Sequence, residues 1–190
     1  PHPYDQTKPV NKDSKKTKDV KTTLFLSIGL IRSYKNIPML LRAFTSISEP
    51  SFRLRIVGEC WDENLDRELL QLSGQDVRID YLNSYVSSES FQEEISNADF
   101  VVLPYSRVTG SGVLAECFQA GTPVIASDLE YFRSEIVNGK EGFLFSPDSE
   151  EELKEALLMA KKEKGKMVPE LRNTWPDFGA KLTEFLLSRT

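Results

Sequence analysis

One histidine, two cysteines and no Asp-x-Asp pair in 190 residues remove several chemistries at the outset. His2 lies in a polar stretch at the start, which leaves no imidazole general base in the patterned part of the chain. Cys60 and Cys117 have no metal-binding spacing and read as two reduced thiols of a cytosolic protein. Without an Asp-x-Asp pair there is no sign of a carboxylate site for a divalent metal. Neither Gly-x-Gly-x-x-Gly nor a Walker pattern occurs, which excludes the usual nicotinamide site and the P-loop. No window approaches the roughly 18 consecutive apolar residues that span a bilayer. The net charge of -5 argues against a broad nucleic-acid surface but leaves room for a local basic site for phosphate. No signal peptide is visible, and the chain opens on Pro1 rather than Met, so it reads as a piece of something longer. Its length suits one domain with appendages and is short for two.

What is present is a regular alternation. Residues 1–21 are polar and Lys-rich and read as a linker or arm; with Asp13 and Asp19 mixed in, the lysines fit a solvated segment better than a lipid-binding one. Apolar runs at 22–28, 52–57, 77–82, 100–103, 124–126 and 142–145 predict strands, the first two ending at Gly29 and Gly58. Between them Asn36 is expected to cap a helix with Pro38 in its first turn and Ile37, Leu40, Leu41, Phe44 and Ile47 on one face. Residues 65–72 predict a short helix. Ser87 or Ser88 caps another carrying Phe91, Ile95 and Ala98, and Ser111 or Gly112 opens the next. A helix over 131–137 should close at Asn138-Gly139, and Ser149 with Glu152 forms a capping box for a helix to about 162. A last helix is expected over 176–187. Five or six strands alternating with helices imply an α/β fold: a parallel sheet with helices on both faces.

The segment 104–128, PYSRVTGSGVLAECFQAGTPVIASD, is the centre of this pattern: strand exit, loop, helix, strand. Such loops sit where parallel sheets hold ligands, and the helix that follows turns its free amides toward them. Arg32 and Lys35 after Gly29 suit a diphosphate, although two loop cations are commonly just solvated. Ser111 and Gly112 offer amides to a phosphate or serve simply as cap and packing glycine. Glu116 can accept both hydroxyls of a ribose, or simply interact with the helix dipole.

Five motifs, in order, resemble a known family: FLSIGLIRSYKN with LLRAF, RLRIVG, VSSESFQEEISNADFVVLPY, SGVLAECFQAGTPVIASD and EIVNGKEGFLF. Together, over about 22–185, they resemble the C-terminal, donor-binding half of a GT-B glycosyltransferase of the large retaining group numbered family 4. The resemblance implies a Rossmann-like domain over 22–168, a crossing helix within 169–190, and an N-terminal acceptor domain that this chain does not contain.

The resemblance also implies roles. Lys35 and Arg32 would hold the donor diphosphate and stabilise charge on the leaving nucleotide, and Glu116 would hold the ribose; these three are expected to carry the transfer. Leu30 stands where many members have arginine. The family's proximal glutamate falls on Val108, where Thr109, Gly110 and the Ser111-Gly112 amides are offered instead. The base is expected near Gly58, Glu59 and the Tyr85-Val86 loop. The expected donor pocket is thus Gly29, Gly58, Glu59, Val86, Thr109, Gly110, Ser111, Gly112 and Val113. A UDP- or GDP-sugar would be the substrate, without cofactor or metal, and its sugar would pass with retention to a glycan or lipid-linked glycan in polysaccharide or glycoconjugate synthesis. The fragment would bind nucleotide without turning over. The full protein is expected in the cytoplasm, with peripheral association at the inner face of the membrane. Two alternatives are a non-catalytic nucleotide-binding or interaction module of the same fold and a sugar-nucleotide epimerase, whose motif spacing fits less well.

Overall fold

Six apolar runs form six strands: Thr23–Ile28 (β1), Phe52–Gly58 (β2), Ile79–Asn83 (β3), Phe100–Leu103 (β4), Val124–Ser127 (β5) and Gly142–Phe145 (β6). The structure, a computed structural model, describes residues 22–169; the arm at 1–21 and the helix expected over 176–187 lie outside them. All strands pair in parallel, in the order β3-β2-β1-β4-β5-β6. The connecting helices are Ile37–Thr45 (α1), Glu63–Ser73 (α2), Ser88–Asn97 (α3), Gly112–Ala120 (α4) and Glu130–Glu135 (α5), with Glu150–Glu163 (α6) after β6. The chain steps outward from β1 to β3, returns through α3 to β4 beside β1, and steps outward the other way. That reversal opens a crevice between the carboxyl ends of β1 and β4.

The strands read as apolar runs because both faces of the sheet are covered. Phe25 of β1 joins the core packed by α1, α2 and α6, whereas Leu26 and Ile28 join the core packed by α3, α4 and α5. Period two therefore divides the strands other than the edge strand β3 between two cores. In the first, Phe25 meets Phe52 edge to face with centroids 5.0 Å apart and Phe44 at 6.3 Å. The expected face of α1 is fully buried; each such side chain contributes about 1.5–3 kcal/mol of transfer free energy. Toward β3 the covering thins, and Arg55 of β2 bonds Glu94 of α3 through Nε at 2.8 Å.

Several boundaries differ from the sequence reading, each for a local reason. Asn36 precedes α1 but does not cap it: at φ 51° it is left-handed, and its side chain donates to Asp148 Oδ1 at 3.0 Å instead. α2 is longer than expected because Asp62 accepts from the amides of Asn64 and Leu65. β3 starts two residues late, since Ile79 N bonds Asp76 O in a turn that the Asp76–Arg78 ion pair holds and that leaves Val77 in solvent. α5 stops at Glu135, before Asn138-Gly139, which lie instead in a turn closed by Val137 O and the Glu141 carboxylate. Ser149 caps α6, but Glu152 completes no box with it: its carboxylate accepts from Ser146 N and Oγ at 2.7 and 2.8 Å.

Candidate functional site

The first wall of the crevice is set by two glycines. Gly29 adopts φ 92°, and a Cβ on Gly58 would lie 2.2 Å from the Gly29 carbonyl oxygen, so only glycine lets the ends of β1 and β2 approach this closely. Pairing continues beyond them through Ile31 N to Glu59 O at 2.8 Å. The chain then makes a single 3-10 turn, Ser33–Lys35, which turns Lys35 inward.

Lys35 is 5% exposed. Its ammonium donates to Ile28 O at 3.1 Å and lies 5.5 Å from the Tyr105 ring centroid, and it pairs with no carboxylate among the described residues. Burial lowers its pKa from 10.5 to about 8. A Cβ built on Gly29 would lie 3.4 Å from this Nζ, 3.5 Å from the Phe91 ring and 3.7 Å from Val113 Cγ2. The 3-10 turn with its buried cation, α3 and the first turn of α4 thus converge at Gly29, the end of β1.

The loop after β4 forms the second wall. Ser106 donates to Tyr34 O through N at 2.8 Å and Oγ at 3.2 Å, and Tyr34 and Tyr105 meet edge to face at 5.6 Å. The two loops flanking the crevice are therefore fastened to each other. Burial pushes the Tyr105 hydroxyl up and keeps it protonated; it does the same to the Cys117 thiol, a free cysteine like Cys60. Val108, half-buried, packs against the core that α3, α4 and α5 cover. Thr109 and Gly110 are exposed, and a Cβ at Gly110 or Gly112 would meet nothing within 4 Å. Ser111 caps α4 by accepting from Leu114 N at 3.2 Å, and the amides of Gly112 and Val113 precede that bond at the helix start. Glu116, half-buried and three residues beyond Val113, lies on the same face of α4.

A third wall comes from the loops after β2 and β3. Asn83 ties them together, accepting from Cys60 N at 2.8 Å and donating to Cys60 O at 3.1 Å. Arg32 stacks 4.5 Å over the exposed Trp61 ring. Glu59 is half-buried, Val86 packs against the core, and Leu30, Trp61 and Tyr85 are exposed.

Of the residues named from sequence, Gly29, Lys35 and Val113 meet directly, and Ser111, Gly112 and Glu116 share α4 with Val113. Thr109 and Gly110 lie in the adjoining loop, and Gly58 shapes the first wall. Arg32 does not join Lys35 in a clamp: it turns toward Trp61 beyond β2, while Lys35 turns toward Tyr105 beyond β4. Sequence reasoning did not assign three aromatic residues to the site: Tyr105, which faces the Lys35 ammonium, Tyr34, which packs on Tyr105, and Phe91, which borders Gly29. The position of Tyr105 just past β4 was the available signal for it. Among the described residues no three His, Cys, Asp or Glu side chains gather to hold a metal, and no helix is long and apolar enough to cross a membrane.

The protein-family model for glycosyl transferases group 1 matches residues 10–181. Over 113 residues the chain is 34% identical to a GDP-mannose:glycolipid 4-beta-D-mannosyltransferase of Xanthomonas campestris pv. campestris, covering 58% of this chain and 32% of the relative. Sucrose-phosphate synthase from Thermosynechococcus elongatus superposes with a TM-score of 0.69 at 19% identity, covering 90% of this chain and 47% of that one. Anabaena HepE in complex with UDP and glucose gives 0.67 at 17%, with 88% and 49% covered. At these identities the structural likeness is one of fold. The chain spans about a third of the curated relative's length and about half of each of these solved chains. Its fold is that of the C-terminal half of a GT-B glycosyltransferase, and a model matching most of its length establishes that the chain belongs to the glycosyl transferases group 1 family.

Proposed function

We propose that this domain binds a nucleoside-diphosphate sugar in the β1/β4 crevice and is the donor-binding half of an enzyme transferring that sugar to an acceptor hydroxyl with retention. One observation carries the reading: the buried ammonium of Lys35, which has no carboxylate partner among the described residues, lies beside Gly29, which Val113 of the opening turn of α4 also approaches. A desolvated cation beside helix amides suits a diphosphate and the charge that develops on it as the sugar leaves. Glu116, on the face of α4 that carries Val113, takes the ribose hydroxyls. The donor is a UDP- or GDP-sugar; the Xanthomonas relative is named for GDP-mannose, and the Anabaena structure holds UDP and glucose. The acceptor, a glycan or lipid-linked glycan, belongs to a domain outside this chain, and the full enzyme works at the cytoplasmic face of a membrane without metal.

Calorimetric titration of UDP and GDP into the chain and its Lys35→Ala and Glu116→Ala variants tests the site. Saturable binding weakened by both substitutions supports it; no binding at millimolar nucleotide, or affinity indifferent to both, overturns it. The stereochemistry is read from the anomer formed once the acceptor domain is supplied. A product inverted relative to its donor, as a β-linkage made from an α-configured donor would be, refutes retention. A second reading, a binding module without transfer, is favoured by Val108, an apolar side chain half-buried against the core at the position where relatives of the resembled family carry a carboxylate.

A further inference from the structure

The loop at 106–110 has features that diphosphate binding leaves unused. It carries no carboxylate, and none occurs anywhere in 104–115. Arg107 is exposed and forms no hydrogen bond or ion pair with the described residues; its guanidinium only overlies Tyr34, 6.0 Å from the ring centroid. The backbone that leads into it is held in place, because the preceding residue, Ser106, is bonded to Tyr34 O by both its amide and its hydroxyl. Val108, half-buried, packs against the core and presents no polar side-chain atom, while a Cβ at Gly110 would meet nothing within 4 Å.

In a nucleoside-diphosphate sugar the transferred ring hangs from the phosphate next to it. With the phosphates against Lys35 and the start of α4, and the ribose at Glu116 further along that helix, the ring falls beside 106–110. A neutral hexose offers hydroxyl groups there, which an anionic acceptor would recognise; this loop has none. A guanidinium with no hydrogen-bond or ion-pair partner among the described residues instead matches a planar carboxylate through two parallel N–H···O bonds. We propose that the transferred sugar carries a carboxylate, as uronic acids do, and that Arg107 selects it. This rests on the donor-site reading above.

The test is titration of the chain with UDP, UDP-glucose and UDP-glucuronate, and with GDP, GDP-mannose and GDP-mannuronate. In the series of the preferred base, the acidic donor is expected to bind about tenfold tighter than its neutral counterpart, the size of one charge-assisted contact. Arg107→Gln should remove that preference and Arg107→Lys should keep part of it. Neutral and acidic donors binding equally would overturn the inference. So would an Arg107→Gln variant that weakens free UDP or GDP as much as the acidic donor, since Arg107 would then be a phosphate ligand. If UDP or GDP binds without any such preference, only this inference fails; if no nucleotide binds, the donor-site reading fails and takes this one with it.

Discussion

Replacing Lys35 with methionine should make the protein more stable and less able to bind nucleotide. The ammonium is displaced from a pKa of 10.5 to about 8 by burial alone, which corresponds to about 3 kcal/mol of unfavourable free energy at neutral pH. The sign follows from proton counting: between about pH 8 and 10.5 the unfolded chain holds more protons, so stability rises with pH as the penalty is relieved. Methionine keeps the length of the stem and drops the charge. It also removes the donor to Ile28 O, which costs about 1 kcal/mol. The net gain at pH 7 is about 2 kcal/mol, or roughly 4–8 °C in melting temperature for a domain of this size. Binding of UDP or GDP should weaken at least about tenfold, because the buried counter-charge for the diphosphate is gone. Thermal melts at pH 7 and pH 10, paired with calorimetric titration at pH 7, measure both effects. A variant less stable at pH 7, a gain as large at pH 10 as at pH 7, or unchanged nucleotide affinity would overturn this account of Lys35.

Glu116→Ala should lower nucleotide affinity about tenfold, and a dideoxy nucleotide lacking both ribose hydroxyls should lose a similar factor against the unaltered protein but nothing further against the variant. Equal losses in both proteins would remove Glu116 from the ribose. Gly58→Ala forces a Cβ to 2.2 Å from the Gly29 carbonyl oxygen and should destabilise by about 2–3 kcal/mol, with nucleotide binding reduced as the first wall shifts; chemical denaturation measures the loss. Arg78 bonds the carbonyls of Ile47 at 2.7 Å and Glu49 at 2.9 Å and pairs with Asp76, so Arg78→Met should cost about 3 kcal/mol without touching the crevice. The Arg78 guanidinium holds the Asp76 carboxyl below its usual range, so this contribution is present at neutral pH and fades on acidification through the carboxylate range. Acid melts in which the variant and the parent converge would confirm the direction.

Strands β4 and β6 and the start of α4 fall where the sequence puts them, because short apolar runs between turn residues leave few alternatives. The failures are at places where another side chain intervenes. Asn36 has the right identity and position for a cap, but Asp148, 112 residues away, takes its side chain. Glu152 has capping-box spacing, but Ser146 draws its carboxylate away. Val77 looks like the start of a strand until the Asp76–Arg78 pair, itself bonded to the far end of α1, turns the chain first.

The site divides in the same way. Local chemistry alone determined that a glycine ends β1, that two cations follow it, that Ser111 opens a helix and that Glu116 stands on it, because each depends on neighbours within a turn or two. Only the tertiary structure decided that the two cations part company. Lys35 is drawn under Tyr105, a residue 70 positions later, and loses much of its hydration there, whereas Arg32 goes to Trp61 on the far side of the loop. The reason is the order of the sheet: β4 returns to lie beside β1, so a lysine with the local sequence of a surface loop becomes the buried charge of the crevice.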